Sequence, residues 1–226
     1  MSERPVIVFD MDGVLVDVSE SYRETIRATV RRFTGEEIPR ELVQDYKNAG
    51  GWNNDWALSQ RIIFDTAGLD VAYDEVVREF QCTFVGKQND GLILRERWIP
   101  ESGLLDRMAG RFDFGIFTGR PRDEASFTLS RFVPSIRWAA IVADGDVANP
   151  KPAPDGLLAI AQLRPLSPLW YIGDTVDDAR ASRAAGVPFI GIAHRDNPRH
   201  GELASLLESE QAVAVLDSVN QLERVL

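Results

Sequence analysis

The run Val6-Ile7-Val8-Phe9-Asp10-Met11-Asp12-Gly13-Val14-Leu15-Val16-Asp17 lies close to the start of a 226-residue chain. Its first four residues are apolar, two of them valine and one isoleucine, which is the pattern of a strand buried on both faces of a parallel sheet covered by helices. The run then stops on a carboxylate. Ligands in open parallel sheets sit just beyond the carboxyl ends of the strands, so Asp10 and Asp12 stand where chemistry is expected. Gly13 allows a sharp turn and a close approach of backbone to ligand. A hard cation such as Mg²⁺, which takes oxygen ligands, suits this loop: the Asp10 side chain and the Asp12 backbone carbonyl would hold it and leave the Asp12 carboxyl free. An Asp-Gly pair after a strand also serves as plain turn chemistry. A calcium loop fails on spacing, because Gly13 arrives two positions early and Val14 stands where an oxygen ligand is needed.

Composition narrows the partners. Hydrophobic residues make up 44% of the chain, enough for a sizeable core, and the length suits one core domain with an insertion. Lys+Arg of 25 against Asp+Glu of 35 gives a net charge of -10. Such a surface repels nucleic acid and anionic membranes, so neither is an expected partner. An anionic substrate would need local cations at its site, and lysine occurs only at positions 47, 87 and 151. A lone Cys82 excludes an internal disulfide and is expected as a small core residue. With no secretion signal and no apolar run of membrane-spanning length, a cytoplasmic monomer or homodimer is expected.

The periodicity changes at about Ser19. Tyr22, Ile26, Val30 and Phe33 recur at helical spacing, as do Val76, Val77, Phe80 and Phe84, while Trp56, Ile62 and Ile63 suit a helix capped by Asn53, Asn54 or Asp55. This predicts about four helices and no strand, a cap domain over residues 18–95 inserted into a core formed by residues 1–17 and 96–226. Strand-like runs resume at 112–117, 139–142, 169–172, 188–192 and 212–216, separated by helical patterns. Strand then helix, repeated, predicts an α/β fold with a doubly wound parallel sheet.

The ends of these strands carry the remaining chemistry. The second strand is expected to end at Thr118-Gly119-Arg120-Pro121, where a hydroxyl and adjacent backbone N–H groups suit a phosphate. After the third come Asn149-Pro150-Lys151-Pro152, three prolines in all stiffening the path through Pro154 around a lysine whose ammonium can neutralise a carboxylate and a phosphoryl oxygen. The fourth ends in Gly173-Asp174-Thr175-Val176-Asp177-Asp178. Asp177 suits the helix dipole, Asp174 is placed to ligate a metal from the side opposite Asp10, and Asp178 is a further ligand or a support for one.

Together these positions resemble the haloacid dehalogenase-like superfamily: Asp10-x-Asp12-Gly13-Val14 its first motif, Thr118 its second, Lys151 its third, Gly173-Asp174-Thr175-x-x-Asp178 its fourth. The resemblance covers essentially the whole chain, and the helical insert is similar to the cap of the subgroup that includes phosphoglycolate phosphatase and β-phosphoglucomutase. It implies a Mg²⁺-dependent phosphatase acting on a small phosphorylated metabolite. Asp10 would be the nucleophile that forms an aspartyl-phosphate, Asp12 the acid and base, Thr118, Gly119 and Lys151 the phosphate-binding groups, and Asp10, Asp12, Asp174 and Asp178 the metal site. The acid at position 12 favours phosphate chemistry over carbon–halogen cleavage. A phosphomutase would keep the same residues, and a signalling receiver domain, also phosphorylated on aspartate, would place its acceptor on a later strand without an inserted cap. Within the cap, Lys47-Asn48-Ala49-Gly50-Gly51-Trp52-Asn53-Asn54-Asp55-Trp56 reads either as a turn and helix cap or as a specificity loop whose Lys47, Trp52, Asn53 and Asn54 meet the leaving group. It resembles an uncharacterised branch of the superfamily associated with histidine-biosynthesis proteins.

Overall fold

A computed structural model describes residues 4–226. The chain divides into two compact units, one running through Val16 and resuming over Trp98–Leu226, the other formed by Asp17–Arg97. Two short strands, β2 (Val16–Asp17) and β3 (Arg97–Trp98), pair with each other at these two crossings.

The first unit is built on β1 (Val6–Phe9), whose four side chains are all fully buried. Each such residue contributes about 1.5–3 kcal/mol by leaving water, which is why an uninterrupted apolar run is stable only at the centre of a covered sheet. Six parallel strands lie in the order β5-β4-β1-β6-β7-β8, formed by Trp138–Asp144, Asp113–Pro121, Val6–Phe9, Leu169–Gly173, Phe189–Ile192 and Ala214–Leu216. From β1 the chain winds outward to β4 and β5, then returns to β6 on the other side. That reversal opens a crevice at the carboxyl end of β1, where doubly wound sheets take ligands. Helices α5 (Leu104–Met108), α6 (Arg122–Phe132), α7 (Asp155–Leu163), α8 (Val176–Ala185) and α9 (His200–Ser209) join the strands.

β4 ends at Pro121, immediately before α6, with a shift in its pairing to β5 between Phe117 and Pro121. Thr118 is therefore held within the strand. The irregular pairing that accommodates it is a tertiary feature with no mark in the local sequence.

The second unit contains α1 (Tyr22–Thr34), α2 (Arg40–Ala49), α3 (Asp55–Ala67) and α4 (Tyr73–Phe84), with a single 3₁₀ turn at Leu92–Arg95. α1 packs against α3 and α4. Ile26, Val30, Leu58, Ile62, Val76, Phe80 and Phe84 are fully buried between them, and the Tyr22 and Phe84 rings lie 3.9 Å apart. Cys82 is exposed, contrary to the expectation of a core residue. The buried stripe of α4 runs Val76, Phe80, Phe84, and a residue two positions from Phe80 points to the opposite side of a helix.

Candidate active site

Parallel pairing sets the height of each strand end. Phe9 is level with Ile116 of β4 and Ile172 of β6, so Asp10 is level with Phe117 and Gly173, and Thr118 and Asp174 lie one residue further on the two flanking strands. The chain then turns tightly, with the N–H groups of Leu15 and Val16 both donating to the Met11 carbonyl and that of Gly13 to Val16. Gly13 has φ +73°, and the Asp174 carboxylate occupies the place a Cβ would take. At the end of β6, the side-chain carbons of Asp178 fill the space beside Gly173. Glycine at both positions lets the acids close in.

Lys151 binds the group together. Its ammonium is 3.0 Å from Asp10 Oδ1, 2.7 Å from Asp178 Oδ1 and 3.2 Å from the Tyr171 hydroxyl oxygen, with the Phe117 ring 5.2 Å away. Three acceptors match the three protons of an ammonium. Asp178, fully buried, accepts from five donors: Lys151 and the Tyr171 hydroxyl at Oδ1, and the backbone N–H groups of Asp174 and Thr175 with the Thr175 hydroxyl at Oδ2. The Thr175 hydroxyl also accepts from Asp178 N–H, a reciprocal cap that starts α8.

The electrostatics follow from burial and charge. Burial pushes the Asp10 carboxyl well above its ordinary range; Lys151 opposes this, while Asp178, Asp12 and Asp174 push it further up. Burial acts the same way on Asp178, but Lys151 and the donors around it outweigh that and hold the carboxyl below its usual value. Burial by itself would lower Lys151, and the two carboxylates outweigh it and raise it. Burial and the neighbouring carboxylates raise Tyr171.

Carboxylate oxygens of Asp10, Asp174 and Asp178 lie within 4.8 Å of one another. Three acids share the space with one ammonium, and an oxygen-seeking divalent cation offsets the excess negative charge that burial penalises, so the donor set fits Mg²⁺.

Asp12 stands apart from this triad. Its carboxyl is not free, as the sequence suggests, but paired with Arg120, whose Nε donates to Asp12 Oδ1 at 2.8 Å and whose Nη2 donates to the same oxygen. The Arg120 side chain has 0% exposure and that of Asp12 27%. Thr118 is buried, and its hydroxyl oxygen accepts the Arg120 backbone N–H at 3.2 Å, which leaves the hydroxyl proton to donate elsewhere. Gly119 follows it on β4.

Lys47, Trp52, Asn53 and Asn54 lie in the second unit. Lys47 is buried, with its ammonium donating to the Trp52 carbonyl at 2.7 Å and to Asp55 Oδ1 at 2.5 Å, so it ties the Gly50-Gly51 turn to the start of α3 instead of presenting an open cation. Asn54 caps α3 by accepting from Ala57 N–H and donates to the Tyr73 hydroxyl. The Trp52 ring meets Tyr46 edge-on, and Asn53 is half-buried beside it in sequence.

Sequence reasoning gives no role to Arg120, Tyr171 or Thr175. A signal for Arg120 was present, since any cation beside a strand end is informative in so acidic a chain. Tyr171 sits in an apolar run, and a buried hydroxyl there demands a partner that only the fold can supply.

The model of the haloacid dehalogenase-like hydrolase family matches residues 5–186, which span every strand-end residue described above. The chain belongs to this family. Among its relatives, a protein of Phytophthora nicotianae named imidazoleglycerol-phosphate dehydratase is 34% identical over 197 residues, 82% of this chain; the match spans 42% of that longer protein. The phosphoglycolate phosphatase of Escherichia coli K12 is 24% identical over 234 residues, 96% of this chain and 90% of the enzyme. Two solved structures share the fold. A candidate haloacid dehalogenase-like hydrolase of Bacteroides fragilis superposes with a TM-score of 0.77 at 20% identity, covering 97% of this chain and 100% of that one. A candidate β-phosphoglucomutase of Thermotoga maritima gives 0.69 at 19% identity, covering 98% and 100%. The haloacid dehalogenase-like chain described here is thus a hydrolase on an α/β doubly wound core, and phosphatases stand among its relatives.

Proposed function

We propose that the chain is a Mg²⁺-dependent phosphatase of small phosphomonoesters that works through an aspartyl-phosphate at Asp10. The observation that carries this reading is the placement of Asp10 at the carboxyl end of the central strand, clamped by Lys151 at 3.0 Å with the Asp174 and Asp178 carboxylates beside it. Asp10 attacks phosphorus, the ester oxygen leaves with a proton from Asp12, and Asp12 then takes a proton from the water that releases inorganic phosphate. Thr118, with its hydroxyl proton available, and the Gly119 N–H hold phosphoryl oxygens. Lys151 favours the charged form of Asp10 that attack requires, against the effect of burial, and faces the same oxygens. Asp10, Asp174 and the Asp12 carbonyl would hold Mg²⁺, which when bound supplies charge stabilisation to the transferring phosphoryl group. Asp178, its oxygens taken up by five donors, fixes Lys151 and the start of α8 and stands behind the metal site.

The helical unit is proposed as the cap that selects the substrate. Lys47 and Asn54 serve its local structure, which leaves Trp52 and Asn53, of the four residues named in segment 47–56, for recognition. The assay is release of inorganic phosphate from a panel of monophosphates, including phosphoglycolate and imidazoleglycerol phosphate, the compounds named in the relatives. Hydrolysis of at least one ester is expected, abolished by Asp10→Asn and by chelation. Isomerised product without phosphate release would establish a phosphomutase, and a stable phosphoprotein without turnover would overturn the enzyme mechanism.

A further inference from the structure

Arg120 is the one large charged side chain among the fully buried residues of the described chain, and the steps set out above give it no task. Burying a guanidinium is costly unless its donors are met, and here they are met in a particular way. Nε and Nη2 converge on Asp12 Oδ1, and Nη1 donates to Thr128 Oγ1 of α6 at 3.0 Å. The backbone of the same residue is fixed too, its N–H donating to the Thr118 hydroxyl. The planar fork therefore joins the acid on the β1 loop to α6, while the backbone of the same residue is tied to the Thr118 hydroxyl on β4.

We infer that Arg120 is a positioning residue for Asp12. It holds the carboxyl by Oδ1, so that Oδ2 is the oxygen presented to the leaving group and afterwards to water. In the first step the bond from Asp10 to phosphorus forms as the ester P–O bond breaks, and the proton on Asp12 Oδ2 goes to the departing oxygen. A rigid fork does this where a lysine would not, because a point charge on a flexible stem fixes no orientation. This inference rests on the phosphatase reading and adds to it which oxygen acts and what aims it.

Proton delivery matters most where the leaving group is a strong base. An alkyl alkoxide needs the proton, whereas p-nitrophenolate departs nearly unaided. The kcat/KM, which covers steps through loss of the leaving group, is therefore to be measured for p-nitrophenyl phosphate and for the best alkyl phosphate of the panel in Asp12→Asn, Arg120→Gln, Arg120→Lys and Thr128→Val. Asp12→Asn is expected to lose on the order of 10²–10⁴-fold on the alkyl ester. Arg120→Gln and Arg120→Lys should lose about 10–100-fold on that ester, the range for partners that orient a reacting group, and at least several-fold less on the aryl ester. Thr128→Val should show the same bias, reduced. In the double variant Asp12→Asn/Arg120→Gln the losses should not add, because the fork then has no acid to aim. Circular dichroism checks folding, and where Arg120→Gln does not fold, Arg120→Lys and Thr128→Val decide the matter. Equal losses on the two esters, or additive losses in the double variant, would overturn the inference alone. No turnover of either ester by the unaltered enzyme would overturn the phosphatase reading and this with it.

Discussion

Gly13 shows how narrowly a single position is constrained. Its φ of +73° costs a residue with a Cβ roughly 1–2 kcal/mol, and the Asp174 carboxylate already occupies the site of that Cβ. An alanine must therefore displace the Asp174 carboxylate as well as strain the turn. Gly13→Ala is expected to lower stability in urea by about 1–2 kcal/mol and to cut Mg²⁺-dependent phosphate release more than tenfold. A variant with unchanged midpoint and unchanged activity would show that the turn relaxes freely and that the closeness of Asp174 is unimportant.

Elements in this chain are specified by their ends as much as by their faces. α3 begins where Asn54 accepts the Ala57 N–H at 2.9 Å, and Lys47, reaching Asp55 and the Trp52 carbonyl, holds the preceding turn against it. Removing the cap by Asn54→Ala should destabilise the helical unit by about 1 kcal/mol. Hydrogen exchange is the suitable measurement, since faster exchange should be confined to α3 and its neighbours while the amides of β1 stay as protected as before. Uniform acceleration across both units would mean that they open as one. The same residues carried the expectation of a specificity loop, and their hydrogen bonds explain why a turn with paired glycines, amides and a lysine can look like a binding loop in sequence. The groups that stitch a turn together are the groups that bind ligands.

At the scale of the whole molecule, the site is a meeting of charges that the sheet enforces. Asp10, Asp174 and Asp178 come from two adjacent strands of the sheet and the helix that follows one of them, and Lys151 comes from the segment between β5 and α7. Folding pays a penalty for gathering three acids around one ammonium, and a divalent cation that binds only the folded form returns it. Mg²⁺ at 100 times its dissociation constant should stabilise the fold by about 2.7 kcal/mol, a rise in Tm of roughly 5–10 °C for a unit of this size. The rise should vanish in Asp174→Asn. A wild-type Tm that ignores Mg²⁺ at every concentration would remove the metal site.

By itself the sequence determined the central strand, the succession of strand and helix, and the acids and lysine at the strand ends. These are set by local patterns: an apolar run that only a covered parallel sheet can bury, periods of two and of 3.6, and polar residues that punctuate each run. Tertiary structure decided what those patterns cannot encode. The pairing of Arg120 with Asp12 spans 108 residues of chain, and nothing adjacent to either residue foretells it. The shift in the pairing of β4 after Phe117 depends on its partner strand, the exposure of Cys82 on which face of α4 its neighbours cover, and the burial of Lys47 on an aspartate eight residues on. A residue's type is a local fact, whereas its partner is fixed only when distant segments pack and water is excluded between them.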